Sequence, residues 1–216
     1  MRISNPDRPY FPDVGLTQRE VVAYYLHVAP ALLRALHSRP TTVERWPGGV
    51  VAGGVLAQRD GTRGDAFYQK RVPPGAPDFV QTARITFPSG RTAREVCPTE
   101  EAVLVWAANL GTITFHPWPV RRSDLESPDE LRLDFDPQPG AGFEEAVTVA
   151  LHARELLAGY GWTGFPKTSG GRGVHVYVRI EPRWSFTEVR HAAIAIGRQL
   201  QRRLPDLVTV NWWKEE

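Results

Sequence analysis

"LRLDFDPQPG", residues 131–140, reads as a β-strand that sets two carboxylates on one face and then stops at a proline. Leu131, Leu133 and Phe135 alternate with Arg132, Asp134 and Asp136, and a strand sends alternate side chains to opposite faces. The apolar set can be buried while Asp134 and Asp136 point together into a cleft. Two carboxylates this close repel unless a cation or a shared proton lies between them. A pair of divalent metals is one solution, and it is the arrangement that serves phosphoryl and nucleotidyl transfer. The competing reading is a surface strand ending in an Asp-Pro turn.

Outward from this strand, two further stretches present polar faces. In "TITFHPW" Ile113 and Phe115 alternate with Thr112, Thr114 and His116. In "GVHVYVRI" Val174, Val176, Val178 and Ile180 oppose His175, Tyr177 and Arg179. If these strands share one sheet with 131–136, a single face displays Asp134, Asp136, His116 and His175. Taken singly, each histidine also reads as a satisfied structural residue.

"KTSGGRGVHVYV", residues 167–178, adds a glycine-rich turn. Such a turn lets the backbone approach a ligand closely and frees amide N–H groups for phosphate oxygens. Ser169 brings a hydroxyl, and Lys167 and Arg172 bring positive charge. The glycine spacing is not that of a Walker loop, and a strand rather than a helix follows. The alternative is a plain hairpin turn. "FYQKR", residues 67–71, offers adjacent aromatics and cations suited to an unpaired base and its backbone. Neighbouring strand residues point opposite ways, so only one of Phe67 and Tyr68 can stack on a base.

Composition narrows the class. The chain has 216 residues, 42% hydrophobic and 23% charged, ordinary values for a globular protein. Net charge is +2 and the pI is near 8.8; Lys70, Lys167 and Lys214 are the only lysines among 26 basic residues. Arginine suits bidentate phosphate contacts, although the same bias can reflect genome composition. No run of about 18 apolar residues suggests a membrane span, and the start lacks a signal-peptide core. Cys97 is the single cysteine, which excludes an internal disulfide and cysteine-rich zinc sites. The expected location is cytoplasmic and nucleoid-associated, with no membrane partner.

Periodicity predicts helices over 16–36, 99–109, 143–158 and 186–204, with Thr17 as a cap and Pro30 as a site where the first helix kinks or splits. A hairpin is predicted over 47–66 with its tip at Arg59-Asp60-Gly61, another over 83–97 turning at Pro88-Ser89-Gly90, and a last strand in "DLVTVNWW". Strands alternate with helices without a strict βαβ rhythm, so a mixed-sheet α/β or α+β fold is expected.

"FYQKRVP", "TITFHPWPV", "LRLDFDP" and "TSGGRGVHVYV", in that order and spacing, resemble the primase-type polymerase domain of bacterial ligase D, of the archaeo-eukaryotic primase superfamily. The resemblance implies an α+β primase-like fold, with mixed sheets flanked by helices around a central catalytic cleft. Residues 1–216 would form one domain, with an N-terminal lobe over about 1–120 and a catalytic lobe over about 121–216. It implies nucleotidyl transfer to DNA 3′ ends in non-homologous end joining, commonly with ribonucleotides. Asp134 and Asp136 would be the catalytic and metal-binding carboxylates of a two-metal Mn²⁺ or Mg²⁺ site. His116, Ser169, Gly170, Arg172 and His175 would bind the incoming NTP or dNTP. Phe67, Tyr68 and Lys70 would contact DNA. Implied partners are DNA ends or a primer-template, an ATP-dependent DNA ligase and the Ku protein.

Departures from the family pattern carry their own expectations. Gln18 stands where the family has a lysine for a DNA 5′-phosphate, and "DFDP" replaces "DLDP". The family continues past the equivalent of "VTVNWWKEE" into a strand with a third carboxylate. A chain lacking that segment is expected to hold at least one metal less tightly. The alternative function is then a catalytically weak or inactive module that binds DNA ends or nucleotides. A metal-dependent phosphoesterase built on the same acids and histidines is a further alternative, though no residue marks itself as activating water.

Overall fold

The computed structural model describes residues 2–57, 62–87 and 89–211. The chain divides into two compact units, Met1–Leu125 and Glu126–Glu216.

The first unit opens with a small ribbon, β1 (Pro9–Phe11) and β2 (Leu16–Thr17), which leads into α1 (Gln18–Leu36). Thr17 caps α1 through a reciprocal box: its hydroxyl accepts from Glu20 N–H, and the Glu20 carboxylate accepts from Thr17 N–H at 2.7 Å. Val21, Tyr25 and Leu36 are buried, while Val28 and Leu32 pack beside them. Pro30 neither splits nor ends the helix. Ala29 and Leu36 on either side of it are buried with Leu104, so tertiary packing outweighs the lost backbone bond.

Gln18, at the start of α1, is buried. Its amide donates to Ala108 O at 2.8 Å, and its oxygen accepts from the Arg8 guanidinium at 2.8 Å. The side chain ties α1 to α2 (Glu101–Asn109).

The sheet of this unit centres on β3 (Thr41–Arg45), which pairs antiparallel with β4 (Phe67–Gln69) and along its length with β7 (Thr112–Pro117). The predicted second hairpin is β5 (Thr82–Thr86) and β6 (Thr92–Val96), and β6 joins the sheet at Thr41↔Val96. Pro88 at its turn lies outside the described residues. The hairpin predicted over 47–66 does not form: its described part makes turns and one isolated bridge, Leu56↔Ala66. Its predicted tip at Arg59–Gly61 lies outside the described residues. Glycines at 48, 49, 53 and 54 explain the failure, because they leave no alternating side chains to pack on a strand face.

In the second unit a three-stranded antiparallel sheet runs in the order β8 (Glu130–Phe135), β10 (Val174–Arg179), β9 (Gly164–Thr168). Two helices, α3 (Phe143–Gly159) and α4 (Phe186–Arg203), supply the apolar partners of one sheet face. Leu131, Leu133, Val174, Val176 and Val178 are buried there with Val149, Leu157, Ile196 and Leu200. Each such side chain contributes roughly 1.5–3 kcal/mol on burial. The opposite face therefore carries the polar set.

Two further sequence expectations need correction. β7 pairs with β3 and not with β8 or β10, so His116 does not share a sheet with Asp134 and His175. The reason is that β3, which the sequence pattern did not pick out as a strand, captures β7 over Thr41–Arg45. The strand predicted from Asp206 onward does not form over its described part, 206–211. Leu207 and Val208 N–H groups turn back onto Leu204 O, Val208 packs on the helical core, and Val210 lies against Gly197 of α4. Residues 212 and 213 lie outside the described set.

Candidate active site

The polar face of the second unit is ordered by strand register. Asp134 of β8 opposes His175 of β10, and His175 opposes Lys167 of β9, giving a cross-strand row of carboxylate, imidazole and ammonium. The His175 Nε2 atom lies 3.2 Å from Asp134 Oδ1. One row along, Arg132 opposes Tyr177, with its guanidinium 4.9 Å from the ring centre. Both Arg132 Nε and Nη2 donate to Glu130 Oε2, at 3.0 and 2.7 Å.

Partial burial raises the Asp134 carboxyl above its ordinary range, and the charge of Asp136 pushes the same way. The His175 and Lys167 side chains oppose the shift. Burial is the main cause of the shift, and the repulsion from Asp136 is set against the two neighbouring cationic partners.

Asp136 sits just past the end of β8, beside the hairpin turn that joins β9 to β10. The Ser169 N–H donates to Gly173 O at 3.0 Å, and Ser169 Oγ accepts from Gly171 N–H and Gly173 N–H at 3.1 and 3.0 Å. Ser169 therefore organises the turn with its lone pairs and keeps its own O–H to donate outward. Gly170 has φ +96°, a backbone conformation that side-chain-bearing residues rarely adopt. A Cβ at Gly173 would stand 2.6 Å from Asp136 Oδ1 and 2.8 Å from Phe135 O. The missing side chain is what lets the carboxylate lie against the turn. Arg172 is exposed at the same turn.

These residues fit a divalent cation. Carboxylate oxygens are the donors that hard cations prefer. The space at Gly173 admits the second acid beside the turn. Among the described residues no set of three His, Cys, Asp or Glu side chains is arranged to hold a metal. A cleft of about 540 Å³ runs from Asp134 and Asp136 past Gln138 and Glu145 to Asp206 and Thr209.

The remaining sequence candidates belong to the first unit. Tyr68 and His116 meet edge to face, ring centres 5.2 Å apart, with His116 Nε2 3.7 Å from Glu44 Oε2. Tyr68 is 49% exposed. Phe67 points the other way, half-buried with the Arg45 guanidinium 5.4 Å from its ring centre. Lys70 lies over Phe87, 4.5 Å from the ring centre. The structure thus gathers Asp134, Asp136, Ser169, Gly170, Arg172 and His175 around one strand pair, and Tyr68 with His116 in a separate cluster. Sequence reasoning assigned no role to Gly173, Tyr177 or Glu44. Gly173 carried a signal as part of the glycine-rich turn, and Tyr177 by its position two residues from His175 on the polar face.

Known proteins share this fold. The fold matches, with a TM-score of 0.86 and 28% identity, a solved structure described as the polymerase domain from Mycobacterium tuberculosis ligase D in complex with DNA. That match covers all of this chain and 73% of the other. The α+β fold is therefore that of a ligase D polymerase domain.

The chain belongs to the LigD primase-polymerase domain family, whose model matches residues 17–216. It is 29% identical over 216 residues to the multifunctional non-homologous end joining protein LigD of Mycolicibacterium smegmatis, a match covering 99% of this chain and 27% of that protein. It is 32% identical over 207 residues to the Pseudomonas aeruginosa protein of the same description, covering 95% and 23%. The bifunctional LigD of Bacillus subtilis is 29% identical over 210 residues, covering 97% and 31%. The chain spans a quarter to a third of the length of these relatives.

Proposed function

We propose that this chain is a metal-dependent nucleotidyltransferase that adds nucleotides, ribonucleotides by preference, to DNA 3′ ends during double-strand-break repair by non-homologous end joining. The observation that carries the reading is the approach of Asp136 to Gly173, which puts the acid pair and the glycine turn at one site. Membership in the LigD primase-polymerase family and likeness to a polymerase domain solved with DNA support it.

Asp134 and Asp136 would hold manganese or magnesium. When bound, the cations lower the pKa of an attacking hydroxyl and neutralise triphosphate charge. The chain's own groups do the rest. His175 Nε2–H steadies the Asp134 carboxylate. The Ser169 hydroxyl and the Arg172 guanidinium offer donors to phosphate oxygens as charge grows on them. The primer O–P bond forms at the α-phosphate as the bond to the β-phosphate breaks; pyrophosphate leaves and the hydroxyl proton passes to water.

Tyr68 would stack on a template base, with Lys70 near the DNA backbone and His116 near the incoming nucleotide. An ATP-dependent ligase and Ku are the proposed partners, in a cytoplasmic, nucleoid-associated setting. No helix among the described residues is long and apolar enough to cross a membrane.

The test is incorporation of labelled nucleotide into a primer-template with manganese, wild type against Asp134→Ala. Incorporation that requires Asp134 supports the reading. Binding of nucleotide or a recessed end without incorporation favours the non-catalytic alternative, and phosphate release without a primer favours a phosphoesterase.

A further inference from the structure

We propose that Tyr177 is a positioning residue, whose hydroxyl donates to His175 Nδ1 and so holds the Nε2–H edge of that imidazole on Asp134. This deepens the function proposed above and rests on it for its catalytic meaning. The geometry is local and complete within one sheet face. Tyr177 and His175 are two residues apart on β10 and project the same way. The Tyr177 hydroxyl lies 3.3 Å from His175 Nδ1, and the two rings are 6.0 Å apart with planes inclined by 31°. On the other side of the imidazole, Nε2 lies 3.2 Å from Asp134 Oδ1.

Donor and acceptor chemistry then selects one tautomer of the neutral ring. An ionised carboxylate only accepts, so Nε2 must carry the hydrogen to bond it. The ring's lone pair is left on Nδ1, where a phenol can donate. The opposite tautomer would set the Nε2 lone pair against a carboxylate oxygen. Hydroxyl and carboxylate thus favour the same proton placement, and the hydroxyl fixes the ring about its second torsion. This is the logic by which an outer partner orients a histidine that serves a metal-binding or catalytic group.

Tyr177 is itself held. The Arg132 guanidinium lies over its ring, and that guanidinium is fixed by two bonds to Glu130. The series Glu130, Arg132, Tyr177, His175, Asp134 passes from ion pair to ring face to hydroxyl to imidazole to carboxylate across two paired strands.

The test uses Tyr177→Phe, which keeps the ring under Arg132 and removes only the hydroxyl. In the nucleotide-free protein, the ¹⁵N resonance of His175 Nδ1 is expected to move toward that of an imidazole nitrogen without a donor. With 3-fluorotyrosine at 177, a stronger donor of nearly the same shape, it is expected to move the other way. Incorporation by Tyr177→Phe is expected to fall by about three- to tenfold in kcat, the worth of one hydrogen bond, with nucleotide KM nearly unchanged. An Nδ1 resonance unmoved in both variants overturns the proposal. A moved resonance with unchanged kcat in an active wild type also overturns it. A wild-type chain that incorporates nothing contradicts the proposed function instead, and the Nδ1 resonance still decides how His175 is held.

Discussion

Gly173 lends Asp136 the space its carboxylate occupies: a Cβ on residue 173 would lie 2.6 Å from Asp136 Oδ1. It would also press on Phe135 O at 2.8 Å, a backbone atom that cannot rotate away. Gly173→Ala must therefore displace the acid, the turn or both. The expected result is a loss of incorporation of at least tenfold, with a stability cost of about 1–3 kcal/mol. Primer extension and urea unfolding measure the two. Activity near wild type would show that Asp136 does not need this approach.

Phe67 and Tyr68 separate stability from DNA contact. Tyr68 is 49% exposed and touches His116 at its edge, while Phe67 is half-buried beneath Arg45. Tyr68→Ala is expected to weaken primer-template binding by about five- to a hundredfold, the range of one stacked base, with a small change in Tm. Phe67→Ala is expected to lower Tm by several degrees and to change DNA affinity less. Fluorescence anisotropy and thermal melts distinguish them; the reverse pattern would exchange the roles of the two rings.

Cys97 is fully buried, and burial pushes its thiol up to about 12. In the unfolded chain the thiol ionises at its ordinary, lower value, so the unfolded state loses its proton first as pH rises. The stability that this thiol contributes is therefore complete below about pH 9 and is lost between about 9 and 12, by at most about 1.4 kcal/mol per pH unit. Urea midpoints of wild type and Cys97→Ala from pH 7.5 to 10 test this. The wild type should lose more stability over that range. The native thiol should also resist a disulfide reagent until the chain unfolds.

The sequence made the alternating strands legible because apolar residues recur strictly every second position in 131–135 and 174–178. That period put Asp134 and His175 on one face before any register was known. β9 escaped, since "GFPKT" contains glycine and proline and shows no alternation. Val208, Thr209 and Val210 suggested a strand by side-chain type alone, whereas the segment folds back on α4. The partner of β7 was also illegible: Thr41↔Pro117 joins positions far apart in sequence, and no local pattern encodes such a pairing. Asp136 against Gly173 is likewise a relation between a strand end and a hairpin turn, which composition and spacing do not contain.

The most direct test of the central claim is manganese-dependent nucleotide incorporation at a recessed DNA end, comparing wild type with Asp134→Asn. That substitution keeps the shape of the side chain and removes the charge that a cation would balance. The account predicts incorporation by the wild type and a loss of at least about a hundredfold, the scale of removing a transition-state charge stabiliser, with folding intact. Equal incorporation by both proteins would contradict it.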